Sequence, residues 1–311
     1  MTRQIADAHV DLPYFLRQMD QKLPFEEIKE GPFTFEEAIR ANVNFFVSAV
    51  YLEDRFNGSL SLAHFYHSME YANALITNMA LVKTGGDLKK QEGSTPKTLF
   101  LVENSDFLAD DLRLIFKLKG QGIFILGLTH AKQNRLADGN DVKVPEGLSK
   151  LGREVLEAME KEGLILDLSH LHLRCFYQAL DAFKGHMMVS HTGIRDVYDT
   201  PRNIYLSQVE ELIQRDGIVG ISINPELLWD QKGFSLERLY AHIDTIAQAY
   251  GPLCICLGSD VCGFEMTGIT YERAIESLEE ILLVKGYGNS TYEILYGNIM
   301  RFLSKALTET L

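Results

Sequence analysis

The sequence predicts an α/β fold in which eight parallel strands alternate with helices and close into a (β/α)8 or TIM barrel. Short apolar runs alternate with longer helical patterns along nearly the whole chain, and eight such runs can be counted. Eight strand–helix repeats are the number that closes a parallel barrel. A chain of 311 residues suits a barrel built as one domain. We therefore expect residues 1–311 to form a single barrel domain.

Turn-forming or polar residues bound each predicted element. The predicted strands are 5–8, 43–51, 98–102, 122–128, 164–168, 187–189, 218–223 and 253–258. The predicted helices are 35–40, 59–83, 106–118, 149–162, 173–183, 206–216, 235–250, 271–285 and 290–309. The alternative architecture, an open doubly wound sheet, would carry a glycine-rich phosphate-binding turn after the first strand. His9-Val10-Asp11-Leu12-Pro13 stands there instead, without a glycine, and this favours the barrel.

Composition and charge exclude several classes of partner. The net charge of −13 argues against nucleic acid, because binding a phosphate backbone requires a basic surface. No apolar run approaches the roughly 18–20 residues of a membrane span. The N-terminal residues do not form a secretion signal, so we expect a cytoplasmic protein. The cysteines Cys175, Cys254, Cys256 and Cys262 are interpreted as reduced core residues, since one C-x-C is a weak zinc signal.

Polar side chains able to bind metal or transfer protons follow almost every predicted strand. Two successive strands end in the same dipeptide, Ser169-His170 and Ser190-His191. Parallel strands joined by a helix lie side by side and end at one edge, so both histidines should point into one pocket. In a barrel this edge forms the active-site face. The set gathered there from six strands is His9, Asp11, Glu103, His130, His170, His191 and Asp260.

A metal centre is the simplest explanation of this set. Burying four histidines and three carboxylates together requires a compensating charge, and a divalent ion takes both neutral imidazole and carboxylate. His9 and Asp11 lie two residues apart in an extended segment and can bind one ion together. One catalytic zinc takes three protein ligands, but five candidates are present: His9, Asp11, Glu103, His170 and His191. Two ions sharing a carboxylate fit that number, and Glu103 is the predicted bridge.

Asp260 and His130 have two interpretations each. Asp260 could accept the proton of a metal-bound water and pass it to a leaving group, or it could only orient His9. His130 could polarise a substrate carbonyl and stabilise an oxyanion, or it could be a structural group. His64 and His67 share one face of a predicted helix and are interpreted as surface or packing residues.

Six segments, in this order, resemble the membrane (renal) dipeptidase family, a branch of the amidohydrolase superfamily of metal-dependent barrels. The segments are DAHVDLP, the lone Glu103 that ends the third strand, GLTHAKQNRLADG, GLILDLSH, VSHT followed by Arg202-Asn203, and GSD followed by Cys262-Gly263. They extend from about residue 6 to about residue 303, where YGNIMRFL is similar to the family's closing helix. Six motifs in the same order make this resemblance specific.

The resemblance implies a zinc-dependent dipeptidase with two Zn²⁺ ions. His9 and Asp11 would bind one ion, His170 and His191 the other, and Glu103 together with a water or hydroxide would bridge them. Metal-bound hydroxide would attack the peptide bond, and the catalytic residues would be Asp260, as proton shuttle, and His130, at the tetrahedral centre.

The resemblance also implies how substrate is held. His130, Arg202 and Asn224 would contact it, with Arg202 binding the C-terminal carboxylate. The expected partner is a small dipeptide, including L-X-D-X dipeptides such as L-X-D-Ala. A homodimer is left open, because helix 59–83 or loop 131–148 could either cover the pocket or form a dimer contact.

The chain departs from the family pattern at three places: Val10 within the first motif, Asn104-Ser105 after Glu103, and Pro225-Glu226 after Asn224. None removes a ligand, but Glu226 is expected to alter the substrate pocket. The secretion signal, lipid-anchor signal and disulfides of animal members are not found, which predicts a soluble member of bacterial type. Two other functions are left open: a related binuclear amidohydrolase acting on another amide or ester, and a non-catalytic metal- or peptide-binding barrel.

Overall fold

The computed structural model describes residues 3–89 and 95–307, and its strands form the predicted barrel. The strands are β1 (Ile5–Val10), β2 (Val43–Tyr51), β3 (Ala80–Leu81), β4 (Lys97–Glu103), β5 (Ile123–Gly127), β6 (Ile165–Asp167), β7 (Met187–Thr192), β8 (Ile218–Ile221) and β9 (Ile255–Leu257). All pairings between them are parallel, in the order β2–β1–β9–β8–β7–β6–β5–β4, and β2 also pairs with β4, which closes the barrel. The fold class predicted from the sequence is confirmed.

Helices connect and cover these strands. They are α1 (Leu12–Gln18), α2 (Phe35–Arg40), α3 (Ser61–Leu75), α4 (Gly85–Lys89), α5 (Ile115–Leu118), α6 (Lys150–Glu162), α7 (Leu173–Ala182), α8 (Leu206–Ile213), α9 (Pro225–Leu228), α10 (Leu236–Tyr250), α11 (Tyr271–Val284), α12 (Asn289–Tyr292) and α13 (Asn298–Ala306). A π-helical turn, Glu293–Gly297, joins α12 to α13. The helix predicted over 290–309 thus consists of three pieces, and its last two residues lie outside the described ranges.

Local sequence explains how α6 leads into β6, the strand that precedes His170. The Ser149 side chain caps the helix by accepting a hydrogen bond from the Gly152 backbone N–H. Gly163 ends the helix in the left-handed region, with φ of 61°, a conformation that glycine adopts without steric cost. The chain therefore reverses at once, and β6 begins two residues later.

Alternation along β4 explains how Glu103 reaches the end of the barrel. Leu99 and Leu101 belong to the inner apolar cluster, whereas Phe100 and Val102 belong to the outer cluster between strands and helices. Side chains alternate across a strand, so Glu103 continues the inner row. It follows two leucines in that row, at the carboxyl end of the strand, and pairs in register with Tyr51 of β2.

Helix α13 closes the opposite end of the barrel. Ile299 and Phe302 belong to the same apolar cluster as Ala6, Ile165 and Ile218, each of which lies at the start of a strand. Burying this apolar surface stabilises the barrel from below, at roughly 25 cal/mol per Å² removed from water. The carboxyl ends of the strands are left free to carry polar groups.

The prediction of one long helix over 59–83 is wrong. Helix α3 ends at Leu75, and Ala80–Leu81 instead forms β3, which pairs with Lys97 and Thr98 at the start of β4. The apolar pattern continues through Met79 and Leu81, but pairing with β4 outweighs the local helical preference.

The prediction of a helix from Asp106 to about residue 118 is also wrong. The segment consists of two 3-10 turns, Asp106–Ala109 and Leu112–Leu114, followed by the single turn α5. The Asp106 carboxylate is not a helix cap; it accepts hydrogen bonds from the Gly58 backbone and from the guanidinium of Arg135, at 2.7 and 2.8 Å. The Asp106 carboxylate therefore links the loops that carry Gly58 and Arg135, and it is not available to cap a long helix.

Within the described ranges, no helix combines the length and apolar character needed to cross a bilayer. The four cysteines are free thiols, and all are buried. The single-domain organisation, the cytoplasmic location and the homodimer stay predictions. The polar segment 84–97 contains α4, and its residues 90–94 lie outside the described ranges.

Candidate metal centre and substrate cavity

The strand ends bring six side chains that could bind metal to one place. His9 and His191 lie within β1 and β7, Glu103 is the last residue of β4, and Asp11 directly follows β1. His170 and Asp260 each lie three residues beyond a strand, after β6 and β9. The six occupy the carboxyl-terminal rim of the barrel, as the sequence predicted.

Two triads of ligand atoms share Glu103. His9, Asp11 and Glu103 form one triad, and Glu103, His170 and His191 form the other, with the ligand atoms of each within 4.8 Å of one another. Glu103 Oε1 lies 2.8 Å from Nε2 of His170 and 3.7 Å from Nε2 of His191. This is the arrangement expected of two ion positions with one common carboxylate. A third triad, His9, His191 and Asp260, places Asp260 against the same centre.

Unpartnered buried atoms test whether these residues fit a metal. His9 Nε2, Asp11 Oδ1 and Glu103 Oε1 are buried and have no hydrogen-bond partner. A buried polar atom without a partner costs roughly 1–3 kcal/mol, so three around one point form an unfavourable cluster unless something binds them. Imidazole nitrogen and carboxylate oxygen are the donors that a divalent ion of the zinc type takes. The donor set therefore fits divalent metal.

The electrostatics of the site lead to the same conclusion. Burial, together with the neighbouring Asp11 carboxylate, raises the pKa of Asp260 to about 8. Burial also holds the pKa values of His170 and His191 well below the usual range, so both rings are neutral. Burial lowers the pKa of His9, but Asp11, followed by Glu103 and Asp260, raises it to about 10. The carboxylates thus draw protons onto His9 and Asp260, and a divalent ion would supply the positive charge that these protons supply.

The backbone at two of these positions is in the left-handed region. His170 has φ of 64° and Asp260 has φ of 66°. Among residues with a side chain, asparagine, aspartate and histidine adopt this region most readily, and positions of this kind cluster at functional sites. Asn104, directly after Glu103, has φ of 73°, and there asparagine suits the conformation.

A cavity of about 350 Å³ lies above the candidate metal ligands. Its lining residues are Asp11, Tyr51, Glu103, His130, Ala131, Asn140, Asp141, His170, Thr200, Arg202, Asn224, Glu226, Leu227, Asp260 and Gly263. Every residue expected from the resemblance to contact substrate is in this set. The cavity is large enough for a small ligand.

His130 lies beside the metal centre with one ring nitrogen occupied. Its ring centroid is 4.4 Å from that of His170, and its Nδ1 is 2.7 Å from an Asp54 carboxylate oxygen. Burial lowers the pKa of His130, but the hydrogen bond to Asp54 outweighs this and the pKa is raised. An Nδ1–H donated to Asp54 leaves Nε2 for a group bound in the cavity.

Arg202 extends from the loop after β7 with one nitrogen free. Its Nη2 donates to the backbone carbonyl of His191 at 3.1 Å, while its Nη1 is buried without a partner. Asn203 fastens this loop: its side chain accepts from the Gly193 N–H and donates to the Leu227 carbonyl, at 3.0 and 2.8 Å. The guanidinium is thus held against the cavity and can bind an anionic group there.

Asn224 contacts Asp260. Its Nδ2 donates to Asp260 Oδ2 at 2.8 Å, while Asp260 Oδ1 lies 3.8 Å from Nε2 of His191. One carboxylate oxygen is therefore held and the other faces the metal centre. Among the described residues the hydrogen-bond partner of the His9 ring is Ser190, so no hydrogen bond supports the alternative that Asp260 orients His9.

Other histidines have structural surroundings. His64 is buried, with its Nε2 2.6 Å from a Glu53 carboxylate oxygen. His242 is buried in α10 and accepts a hydrogen bond from the Ile194 backbone N–H in the loop after β7. His67 is half-exposed. The interpretation of His64 and His67 as surface or packing residues agrees with these positions.

Sequence reasoning missed the residues that hold the histidine rings. Asp54 faces Nδ1 of His130, Asn140 Oδ1 lies 3.2 Å from Nδ1 of His170, and Ser190 lies between His9 and His191. Ser190 carried one signal, the repeated Ser-His dipeptide, but only the histidines of that repeat were interpreted. Asp54 and Asn140 lie in loops, where no periodic pattern marks them.

Comparison with known proteins gives one family. A sequence model of the family described as membrane dipeptidase, peptidase family M19, matches residues 1–310. An uncharacterized dipeptidase of Schizosaccharomyces pombe is 28% identical over 196 residues, which cover 55% of this chain and 48% of that protein. The chain spans about half the length of the curated relatives it matches.

Solved structures share the fold over the whole chain. A metallopeptidase of family M19, termed dipeptidase AC, is similar with a TM-score of 0.85 and 17% identity, covering 99% of both chains. A metallopeptidase from Rhodobacter sphaeroides, liganded with a phosphinate mimic of the dipeptide L-Ala-D-Ala, is similar with a TM-score of 0.85 and 16% identity, covering 98% of this chain and 100% of that one. At such identities the likeness shows the barrel and no more.

Proposed function

The chain belongs to the membrane dipeptidase family of metallopeptidases, family M19, and from this premise we propose that it hydrolyses the peptide bond of dipeptides with two bound zinc ions. The observation that carries the proposal is the pair of ligand triads sharing Glu103 on the floor of a cavity that Arg202 also lines. The first feature supports hydrolysis, and the second supports a substrate with a free carboxylate.

His9 and Asp11 hold one ion in this proposal, His170 and His191 hold the other, and Glu103 contacts both. The ions, when bound, supply an activated water and polarise the scissile carbonyl. The distances from Glu103 Oε1 to the two Nε2 atoms, 2.8 and 3.7 Å, support a shared carboxylate. The unpartnered nitrogen of His9 and oxygen of Asp11 support the first position.

Arg202 selects the substrate by its carboxylate. Nη1 and the second hydrogen of Nη2 are available to a carboxylate, which suits the planar guanidinium fork. Because Arg202 is fixed by Asn203 and the His191 carbonyl, it sets the distance from the scissile bond to the carboxylate and so favours dipeptides. Glu226 lines the same cavity and adds a negative charge at its mouth.

His130 and Asp260 carry out the acid–base work. His130 donates from Nε2 to the oxygen on which negative charge develops, with Asp54 fixing the ring from the other side. Asp260, fixed through one oxygen by Asn224, takes the proton of the attacking water on the other and delivers it to the leaving amine.

One assay tests the proposal. The full chain is loaded with zinc and given L,L and L,D dipeptides, N-acetyl amino acids and ethyl esters, and free amine or alcohol is measured. We expect dipeptides to be cleaved and a chelator to stop the reaction. L-Ala-D-Ala is assayed first, because a solved protein of this fold binds its phosphinate mimic.

Two results would overturn the proposal. Cleavage of esters or N-acetyl amino acids without cleavage of any dipeptide would indicate the related amidohydrolase. Binding of zinc and dipeptide without product would indicate a non-catalytic binding barrel.

A further inference from the structure

One buried hydroxyl touches two histidines that belong to different ion positions. Ser190 Oγ lies 3.0 Å from Nδ1 of His9 and 2.9 Å from Nδ1 of His191. It also donates to Asp167 Oδ2 at 2.5 Å. All four residues are buried, with exposed fractions of 0% for His9 and Ser190 and 1% for His191 and Asp167.

The hydrogens of this cluster can be assigned one by one. A serine hydroxyl has one hydrogen and two acceptor positions. Ser190 gives its hydrogen to Asp167, so its two acceptor positions face the two imidazoles. The nearby Ser169 hydroxyl does not compete, because it donates to Asp167 Oδ1 at 2.8 Å. Both imidazoles therefore donate from Nδ1, which leaves Nε2 of each ring as the nitrogen that can bind a metal.

The two Nε2 atoms are the ones that face the metal centre. His9 Nε2 is unpartnered, and His191 Nε2 lies 3.2 Å from His170 Nε2. His170 is oriented separately, through Asn140 Oδ1 at 3.2 Å from its Nδ1. Asn140 thus serves one histidine, whereas Ser190 serves one histidine of each ion position.

We propose that Ser190, with its hydroxyl direction fixed by Asp167, is a positioning residue that sets the metal-binding tautomer of both His9 and His191 and so supports both ion positions. The inference rests on the metal centre of the proposed function. Partners that orient a metal-binding histidine typically change metal affinity 10- to 100-fold, roughly, when removed.

Metal binding of the full chain is the first test, with zinc and cobalt titrated against a competing chelator. Ser190→Ala should weaken both ions by about 10- to 100-fold. Asn140→Ala is the matched control and should weaken one ion only. Two ions bound by Ser190→Ala with wild-type affinity would overturn the inference. A wild-type chain that binds no metal would instead refute the proposed function, so the two failures are distinguishable.

Asp167→Asn is a second variant that preserves shape. Asp167 Oδ1 accepts the backbone N–H groups of Ser169 and Ser190, at 3.0 and 2.9 Å, so the new NH₂ cannot face them and must take the Oδ2 position. There it donates to Ser190, which then has one acceptor position and one hydrogen for two imidazoles. One histidine must move its hydrogen to Nε2.

Asp167→Asn should therefore lose one ion and keep the other. In the chelator-treated protein, ¹⁵N–¹H spectra of labelled histidine should show one ring changed from the Nδ1–H to the Nε2–H tautomer, a change that loss of stability alone would not produce. Unchanged tautomers, or two ions at wild-type affinity, would overturn the inference even if Ser190→Ala fails to fold.

Discussion

Two corners of the barrel rim are built alike around a buried aspartate. The first corner is defined by Asp7, His9, Ser259 and Asp260, and the second by Asp167, Ser169, His170, Ser190 and His191. In the first, Asp7 Oδ1 accepts the N–H groups of His9 and Ser259, at 3.1 and 2.9 Å. In the second, Asp167 Oδ1 accepts those of Ser169 and Ser190. Each carboxylate thus fastens its own strand to the neighbouring strand.

The two corners differ in the group that donates to the other carboxylate oxygen of the aspartate. Asp7 Oδ2 accepts from the Tyr271 hydroxyl at 2.9 Å, so its contacts lead outward to α11. Asp167 Oδ2 accepts from Ser190, so its contacts lead inward to the histidines. The same buried residue type thus contacts a helix in one corner and the serine between two histidines in the other. Burial and residue type alone do not distinguish them; the partner of one oxygen does.

The largest effect is expected at Asp260, in the first corner. Asp260→Asn should keep both metals but lower turnover by about 10²- to 10⁴-fold, the usual contribution of general acid–base catalysis. Asparagine accepts the left-handed backbone there, so the fold should persist. Steady-state kinetics and metal content check this. Asp216→Asn, an exposed position paired with Lys305, is the control, and wild-type turnover in Asp260→Asn would refute the proton-shuttle role.

The second largest effect is expected at Arg202, whose guanidinium donates a hydrogen bond to the His191 carbonyl in the second corner. Arg202→Ala should lower kcat/KM for dipeptides by about 10- to 100-fold, because a charge-assisted contact worth roughly 1.5–3 kcal/mol is lost. Dipeptide amides, without a free carboxylate, should lose much less. Arg195→Ala serves as control, since Arg195 pairs with Asp199 in the same loop. Equal losses for acids and amides would contradict carboxylate recognition.

The second corner also depends on a histidine outside the site. His242 Nδ1 accepts the Ile194 N–H at 2.7 Å, and its Nε2 donates to the Leu228 carbonyl at 3.1 Å. Burial lowers the pKa of His242 from 6.5 to about 4. Between pH 6.5 and about 4, His242 is protonated in the unfolded chain but neutral in the folded chain, so stability falls as pH drops through this range.

At pH 5 this loss should be about 2 kcal/mol relative to pH 7. Urea denaturation of the wild type and of His242→Gln at both pH values checks it. Glutamine does not titrate, so that share of the pH dependence should be missing from the variant. The same pH dependence in both proteins would show that His242 is not responsible.

The smallest effect is expected at Asp7, in direct contrast to Asp167. In Asp7→Asn the NH₂ must also take the Oδ2 position, but there it meets Tyr271, whose hydroxyl can accept instead of donate. Both metals should stay bound, and the free energy of unfolding should change by no more than about 1 kcal/mol. Metal analysis and urea denaturation check this. Loss of an ion in Asp7→Asn would contradict the claim that only the aspartate of the second corner acts on the metal-binding histidines.

The barrel could be predicted from the sequence because buried strands appear as apolar runs. Elements in which tertiary pairing competes with local preference could not be predicted: Ala80–Leu81 continues a helical pattern but pairs with β4. Asp106 has the form of a helix cap, yet Arg135 and Gly58, distant in sequence, take its carboxylate. Such contacts leave no periodic signal.

For the candidate site, the strand ends identified the residues that face the centre, and the resemblance added Arg202. The residues behind them were not identifiable. Asp7 and Asp167 both interrupt apolar runs, and only their partners show which one reaches the histidines. Asn140 and Asp54 lie in loops and were found only through distances to imidazole nitrogens.

The left-handed backbone at His170 and Asp260 has a consequence for selection experiments. Glycine, which has no Cβ, relieves this backbone at either position and is expected to favour the folded chain. A library screened only for thermal resistance should therefore accumulate such replacements at these two positions. It would yield sturdier barrels that have lost a metal ligand and a proton carrier, so any such screen must be paired with a selection for turnover.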